Sequence, residues 1–226
     1  MTKVFLDGGN LKEIKKIKAD GYTFNPSLYR KLGAKNYINF SKQILKKIKY
    51  KHVSLEVIAD DEKNCLRQAK ILSKLGKNVY VKIPIIYTNG KSTKELIKKI
   101  TNEKIKLNIT AIFTLGQIKK ILPSIKNTET ILSIFSGRIY DIGKNAEVEF
   151  KKINKYVKKN SKCKTLWASC RMPYDYITAR RSGANIITMS GGMIEKFKKF
   201  GTNPEKYSKE TVIGFFNDAK KSKFKF

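Results

Sequence analysis

Histidine is almost absent from this sequence, in which His52 is the only one among 226 residues. It follows the lysine-rich stretch 46–51 and precedes an apolar run, and its charged neighbours predict a position on the surface. An exposed imidazole would leave proton transfer near neutral pH to carboxylates and to a lysine whose charged form is disfavoured. Catalysis by histidine is therefore not expected.

Cysteine is scarce as well. The three cysteines, Cys65, Cys163 and Cys170, are odd in number and lack CxxC spacing, which fits a reducing compartment and argues against a structural zinc site. The acidic run Asp60-Asp61-Glu62 has no histidine or cysteine ligand nearby, and acids there more simply favour the first turn of a following helix. We therefore expect no metal.

Long hydrophobic runs are missing too. No stretch approaches the roughly 20 apolar residues that a membrane-spanning helix needs. The chain enters a predicted strand at Lys3 and leaves no room for a signal peptide. The sequence therefore predicts a cytoplasmic protein with no membrane partner.

Acidic residues are few, since 18 Asp and Glu stand against 49 Lys and Arg, for a formal net charge of +31. Such an excess is typical of proteins that bind nucleic acid. The lysines, however, are spread along the chain at helical spacing, as AT-rich coding would also give, and no recognition helix, zinc-ligand set or RNP-type motif accompanies them. Nucleic acid is therefore not expected as the main partner, and the charge predicts a milder attraction for phosphorylated substrates.

Eight short β-rich runs alternate with helical stretches. The runs are Lys3–Leu6, Gly21–Thr23, Val53–Ile58, Val79–Ile83, Leu107–Phe113, Thr130–Phe135, Thr165–Ala168 and Asn185–Met189. Such alternation predicts parallel strands joined by crossover helices. Eight units of this length favour a TIM barrel, (β/α)8, over an open doubly wound sheet, which stays the alternative.

Helix signals support this reading. Asn10 with Glu13 and Ser92 with Glu95 have the spacing of capping boxes. No linker or second boundary appears, so we expect a single domain over residues 1–226 that ends in a helix and the lysine-rich tail Lys220–Phe226. That tail either docks on a neighbouring subunit or frays.

Lys82 stands in the middle of an apolar strand, between Val81 and Ile83. If it points into a core, loss of solvent disfavours its charged form, and a neutral amine is a nucleophile for carbonyl carbon. The alternative is a lysine near a strand end whose long side chain reaches water. The strand pattern alone leaves both readings open.

Polar residues collect at or near the carboxyl ends of the predicted strands, where TIM barrels carry their active sites. They include Asp7, Asn25, Glu56, Lys82, Asn108, Thr110, Ser133, Arg138, Ser169, Arg171 and Thr188. Since buried polar groups without partners are costly, a set of this size predicts one shared polar site. Asn25 also reads simply as a helix cap before Pro26.

These residues fall in an ordered series of motifs. The series is Leu6-Asp7, Thr23-Phe24-Asn25-Pro26-Ser27, Glu56-Val57, Val81-Lys82-Ile83-Pro84, Asn108-Ile109-Thr110, Ser133-Ile134-Phe135-Ser136-Gly137-Arg138 and Ala168-Ser169-Cys170-Arg171. Together the motifs resemble the transaldolase family, in particular its short, single-barrel branch. Each piece alone is weak, but the ordered set spans essentially the entire chain.

The resemblance implies a cofactor-independent Schiff-base enzyme that acts on sugar phosphates. Lys82 is implied as the lysine that captures the ketose carbonyl and Asp7 as the acid–base group, while Glu56 and Thr110 would hold a water. The other implied substrate contacts are Thr23, Asn25, Asn108, Ser133 and Phe135, with Arg138, Ser169 and Arg171 as the phosphate site. The branch commonly forms rings of five or ten subunits, so a homo-oligomer is implied too.

The resemblance leaves three functions open. The first is transfer of a dihydroxyacetone unit from a ketose phosphate to an aldose phosphate. The second is an aldolase of the fructose-6-phosphate type. In the aldolases of this type the resemblance implies Gln and Tyr at the positions of Glu56 and Phe135, so these two residues favour transfer. The third is a basic binding protein without activity, against which the intact Asp7, Glu56 and Lys82 weigh.

The sequence departs from the family pattern at Gly8-Gly9, Phe24, Ile134 and Cys170. Phe24 replaces the second Thr of a Thr-Thr-Asn-Pro-Ser motif, and a ring beside Asn25 would narrow or reshape the pocket. The departures leave the catalytic residues in place. A dedicated role in making an unusual sugar is therefore an open hypothesis.

Overall fold

Eight parallel strands close into a barrel in the computed structural model, which describes residues 1–222. The strands are β1 (Lys3–Asp7), β2 (Gly21–Thr23), β3 (His52–Glu56), β4 (Val79–Pro84), β5 (Leu107–Ile112), β6 (Ile131–Ile134), β7 (Lys164–Trp167) and β8 (Ile186–Met189). Each strand pairs with the next in the chain, and β8 closes the ring on β1. The predicted TIM barrel is confirmed, and the open-sheet alternative is wrong.

Helices connect the successive strands, and further helices follow β8. They are α1 (Leu11–Lys16), α2 (Pro26–Lys31), α3 (Tyr37–Ile48), α4 (Glu62–Ser73), α5 (Lys94–Asn102), α6 (Leu115–Ile125), α7 (Ser136–Asp141), α8 (Ala146–Asn160), α9 (Asp175–Arg181), α10 (Gly191–Glu195) and α11 (Pro204–Ser222), with a 3₁₀ helix at Lys196–Lys199. The predicted capping box of Asn10 and Glu13 is present. The one predicted at Ser92 is wrong, because Thr93 precedes α5 and its hydroxyl donates to the Pro84 carbonyl oxygen.

The inward-facing side chains form an apolar layer that is followed, toward the carboxyl ends of the strands, by a polar layer. Buried side chains from β1, β6, β7 and β8 meet in one apolar cluster that includes Phe5, Ile131, Leu166 and Ile186. Two positions further along the same strands stand Asp7, Ser133, Ala168 and Thr188, which line a cavity. Because residues two apart on a strand face the same side, the strands that build the core also carry the polar groups to the carboxyl end of the barrel.

The chain divides into two compact units, Met1–Ile194 with the barrel and Glu195–Phe226 with α11. The second unit contains α11, none of whose residues is buried. The end of the predicted tail, with Phe224 and Phe226, lies outside the described residues, and the single domain over residues 1–226 stays a prediction. Within residues 1–222, no helix is both long and apolar enough to cross a bilayer.

Candidate active site

Lys82 is buried inside the barrel, with 6% of its surface exposed. Its strand pairs with β3 so that Lys82 lies opposite Glu56, and Lys82 Nζ lies 3.0 Å from Glu56 Oε2. The amine also donates to the Phe24 carbonyl oxygen at 3.4 Å. The alternative of a lysine that reaches solvent is therefore wrong, and the amine is paired with the Glu56 carboxylate.

A polar cavity of about 100 Å³ opens above this lysine. It is lined by Asp7, Thr23, Asn25, Lys82, Thr110, Ser133, Phe135, Arg138, Ala168, Ser169 and Thr188. Most of the predicted site residues therefore converge, as the strand-end argument expects. Glu56, Asn108 and Arg171 are the predicted residues that do not line it.

Asp7 is held by a short chain of hydroxyl groups. Thr23 Oγ1 donates to Asp7 Oδ1 at 2.7 Å and lies 2.6 Å from Thr188 Oγ1. Since the single hydroxyl proton of Thr23 is donated to the Asp7 carboxylate, Thr188 is the donor in the hydrogen bond between the two threonine hydroxyls. Burial raises the pKa of Asp7 above its ordinary 3.8, while the charge of Lys82 and the Thr23 hydrogen bond act in the opposite direction.

Thr23→Val should therefore shift the acid limb of the pH–rate profile to higher pH. The hydroxyl stabilises the ionised carboxylate, so its loss raises the pKa of Asp7 further, and a carboxylate that must be ionised then works only at higher pH. Profiles of kcat/KM from pH 4 to 8 measure the shift. An acid limb that stays where it is would show that Asp7 does not govern it.

Glu56 and Thr110 lie on either side of Lys82 in the barrel. Glu56 borders a neighbouring cavity of about 200 Å³, and its backbone oxygen accepts the Tyr37 hydroxyl proton at 2.7 Å. Thr110 is buried in the wall of the polar cavity, and its hydroxyl has no hydrogen-bond partner within residues 1–222. A buried hydroxyl left open in a polar cavity is well placed to bind a water or a substrate oxygen.

Asn25 and Asn108, the two asparagines predicted to contact substrate, occupy different positions relative to the cavity. Asn25 lines the cavity and also caps α2, where its side-chain oxygen accepts from the Leu28 backbone amide at 2.8 Å. The helix-cap reading is thus confirmed, and it leaves the amide nitrogen of Asn25 for a ligand. Asn108 is fully buried below the cavity floor, where it contacts Ser54 and Ser133.

Of the three residues predicted to bind phosphate, Arg138 and Ser169 lie at the cavity and Arg171 does not. Arg138 is exposed at the cavity mouth, with its guanidinium 5.3 Å from the centre of the Phe135 ring. Ser169 has a φ of +63°, and its carbonyl oxygen would lie 1.6 Å from a Cβ at Gly137, so only glycine allows this approach. Arg171 points elsewhere, since its guanidinium makes two hydrogen bonds to Asp141.

Thr188 is among the predicted strand-end residues, but the family resemblance assigns it no role, and it lines the cavity. It stands two positions after Ile186 on β8, and its hydroxyl lies 2.6 Å from Thr23 Oγ1 in the cavity. The sequence carries the signal for it, because a threonine two residues beyond an interior isoleucine points into the same barrel. No group of three or more His, Cys, Asp or Glu side chains within the described residues is arranged to hold a metal ion.

Comparison with known proteins fits this geometry. A family model described as transaldolase/fructose-6-phosphate aldolase matches residues 4–225. The chain belongs to this family. A relative named "Probable transaldolase" from Nitrosopumilus maritimus is 34% identical over 200 residues, which cover 86% of both chains. Another with that name, from Methanococcus vannielii, is 33% identical and covers 86% of this chain and 88% of its own.

Solved structures support the fold independently. An N-acetylneuraminate lyase from Mycoplasma synoviae superposes with a TM-score of 0.55 at 18% identity and covers 96% of this chain and 78% of its own. At that identity the likeness concerns the barrel alone.

The transaldolase/fructose-6-phosphate aldolase family is a family of enzymes, so the protein is a transferase-type enzyme with a transaldolase-like function.

Two residues that depart from expectation lie outside the cavity of this family member. Phe24 is fully buried and packs on Tyr29 with ring centroids 5.4 Å apart, so the prediction that its ring reshapes the pocket is wrong. Strand alternation sends Thr23 and Asn25 inward and Phe24 outward to the helices. His52 is half-buried, since its ring stacks between Phe5 and Tyr80 at the opposite end of the barrel, where it borders an open surface cavity.

Proposed function

We propose that the protein is a transaldolase that works through a Schiff base on Lys82. The observation that carries the proposal is a buried amine, 3.0 Å from a carboxylate, in a polar cavity that also contains Asp7. Glu56 is placed to take a proton from the ammonium group, which leaves the neutral amine that attacks a ketose carbonyl. Loss of the carbonyl oxygen as water then gives the imine.

Asp7 is assigned the acid–base step at the carbon–carbon bond. The carboxylate takes the proton of the hydroxyl group next to that bond; the bond breaks, an aldose leaves, and the electron pair moves to the imine nitrogen. The resulting enamine of dihydroxyacetone attacks the aldehyde of the acceptor, and Asp7 returns the proton. Its raised pKa suits a group that must exchange a proton near neutral pH.

Water is needed to form and to hydrolyse the imine, and the structure offers a place for it. The Thr110 hydroxyl is buried in the cavity wall without a partner in the described part of the chain. Glu56 reaches the same lysine from the other side. A water bridging these groups would carry the protons that imine formation and hydrolysis require.

The substrates we propose are a ketose phosphate donor, such as fructose 6-phosphate or sedoheptulose 7-phosphate, and an aldose phosphate acceptor. Support comes from the family match, from Arg138 and Ser169 at the cavity and from a chain charge of +31, which attracts anions. A cytoplasmic place in the pentose phosphate pathway is part of the proposal.

Arg138→Ala is expected to raise the KM for sugar phosphates about tenfold or more, because it removes a charge-assisted contact to phosphate. Arg171→Ala is the matched control and should have a smaller effect, since Asp141 already engages that guanidinium. The steady-state parameters are measured with fructose 6-phosphate and with unphosphorylated fructose. An equal loss for both sugars would contradict a phosphate role for Arg138.

Transaldolase and aldolase activity are distinguished by measuring whether the dihydroxyacetone unit is transferred to an acceptor or released. With erythrose 4-phosphate present, a transaldolase yields sedoheptulose 7-phosphate from fructose 6-phosphate, whereas an aldolase of the fructose-6-phosphate type releases free dihydroxyacetone. Phe135 lines the cavity with an apolar ring and supplies no hydroxyl there, which favours transfer. Release of dihydroxyacetone in preference to transfer would overturn this assignment.

A ring of five or ten subunits is also part of the proposal. Besides the family resemblance, it is supported by α11, whose large apolar side chains Val212, Ile213, Phe215 and Phe216 are all exposed. An apolar helix face of this kind is typical of a surface that a second copy of the chain covers. Sedimentation of the purified protein measures the assembly directly.

A further inference from the structure

Three buried polar side chains form a line below the cavity floor. Asn108 Nδ2 donates to Ser54 Oγ at 2.9 Å, and Ser133 Oγ donates to Asn108 Oδ1 at 2.7 Å. Ser54 and Asn108 are fully buried, and Ser133 reaches the cavity wall. The line therefore connects the substrate cavity to the interior of the barrel.

His52 stands at the far end of this line. Its Nε2 lies 2.7 Å from Ser54 Oγ, and its ring lies 3.9 Å from the Tyr80 ring and 4.8 Å from the Phe5 ring, centroid to centroid. Burial lowers the pKa of His52 to about 3, and the nearby charges of Lys106, Lys164 and Lys3 act in the same direction. The imidazole is therefore neutral at physiological pH, with one ring nitrogen free to accept a hydrogen bond.

The direction of the hydrogen bonds along this line, that is, which group donates in each bond, depends on which His52 ring nitrogen carries the proton. A serine hydroxyl has one proton to donate. If Nε2 is unprotonated, Ser54 donates to it and accepts from the Asn108 amide nitrogen, so Ser133 must donate to the amide oxygen. If Nε2 is protonated, Ser54 accepts from His52, and its own proton finds the amide oxygen as acceptor only when the carboxamide turns round, so that the amide nitrogen then donates to Ser133.

We propose that His52 is a positioning residue whose unprotonated Nε2 accepts the Ser54 proton and so fixes Asn108 and makes Ser133 a hydrogen-bond acceptor toward the substrate. The Ser133 proton is held by Asn108, and its lone pairs are left for a donor in the cavity. A hydroxyl of the bound ketose supplies such a donor. The assignment of the ligand rests on the proposed function, whereas the direction of the line does not.

The direction is tested by nuclear magnetic resonance on the native protein. Because the chain has one histidine, correlations between its ring nitrogens and ring protons in ¹⁵N-labelled protein need no assignment. The expected result is a neutral ring with the proton on Nδ1, unchanged between pH 5 and 8. A proton on Nε2 would overturn the proposal, whether or not the enzyme acts on any sugar phosphate tested.

The effect of His52 on substrate binding is tested by variants of His52 itself. His52→Phe keeps a ring between Phe5 and Tyr80 but removes the acceptor, and we expect the KM for the ketose phosphate to rise about tenfold with little change in kcat. His52→Gln restores an acceptor and should recover most of this loss. Phe5→Leu, which changes packing at the same level, is the matched control and should leave KM within about twofold.

A double-mutant cycle separates this role from a merely structural one. If His52 acts through Ser133, then His52→Phe should add nothing to the KM of Ser133→Ala, because the end of the line is already missing. The same further tenfold rise in the Ser133→Ala background, or no rise in the wild-type background with the melting temperature preserved, would overturn the proposal. If His52→Phe does not fold, Ser54→Ala carries the same test.

Discussion

Lys82→Arg is expected to abolish turnover, by at least about three orders of magnitude, while the barrel stays folded. Arginine keeps the positive charge that pairs with Glu56 at the centre of the barrel, but its guanidinium stays protonated and does not form an imine. The activity loss is therefore expected without a loss of the buried ion pair. Steady-state assays with fructose 6-phosphate and erythrose 4-phosphate measure it.

Lys106→Arg is the control for this substitution. Lys106 is exposed near the opposite end of the barrel and lies over the ring of Tyr80, so exchange of its amine should leave turnover within about twofold. Circular dichroism and thermal melting show whether each variant is folded. Turnover near the wild-type rate in folded Lys82→Arg would remove the lysine from the mechanism.

Asp7→Asn is expected to lower kcat by about 10²- to 10⁴-fold, because an amide cannot take the proton that leaves as the carbon–carbon bond breaks. The shape of the side chain is kept, and Thr23 Oγ1 can still donate to the remaining oxygen. Lys82 is untouched, so the imine with the ketose should still form. The expected signature is thus loss of turnover with retention of the covalent adduct.

The two signatures distinguish the roles of the two residues. Lys82→Arg should lose both adduct and turnover, whereas Asp7→Asn should lose turnover alone. Adduct yields are compared by intact-protein mass spectrometry after reduction. If Asp7→Asn also fails to form the adduct while it remains folded, then Asp7 acts before bond cleavage and its assignment here is wrong.

Much of the fold could be predicted from strand patterns, whereas the site required the polar residues at the strand ends together with the family motifs. Eight apolar runs with helical spacers are enough to indicate a closed parallel barrel. Polar residues interrupting those runs, such as Lys82 and Thr110, are rare enough to mark the interior site that the structure shows. This works because burial of a polar side chain is costly and is kept only where something compensates for it.

The predictions that were wrong concern residues whose setting depends on the direction of the side chain or on a partner distant in the sequence. His52 has lysine neighbours in the sequence, yet strand alternation turns its ring into the barrel. Phe24 adjoins Asn25 in the sequence but faces the opposite side of the chain. Arg171 is near the expected phosphate site, but its partner Asp141 lies 30 residues away, and a contact over such a distance is invisible to a local pattern.

The proposed mechanism requires that Lys82 bonds covalently to a ketose inside the barrel. The most direct measurement is borohydride reduction in the presence of fructose 6-phosphate, followed by peptide mass spectrometry. We expect one stable adduct per chain, on Lys82, that is absent from Lys82→Arg. No adduct from any ketose phosphate tested on folded protein, or an adduct confined to exposed lysines, would contradict it and favour a binding protein.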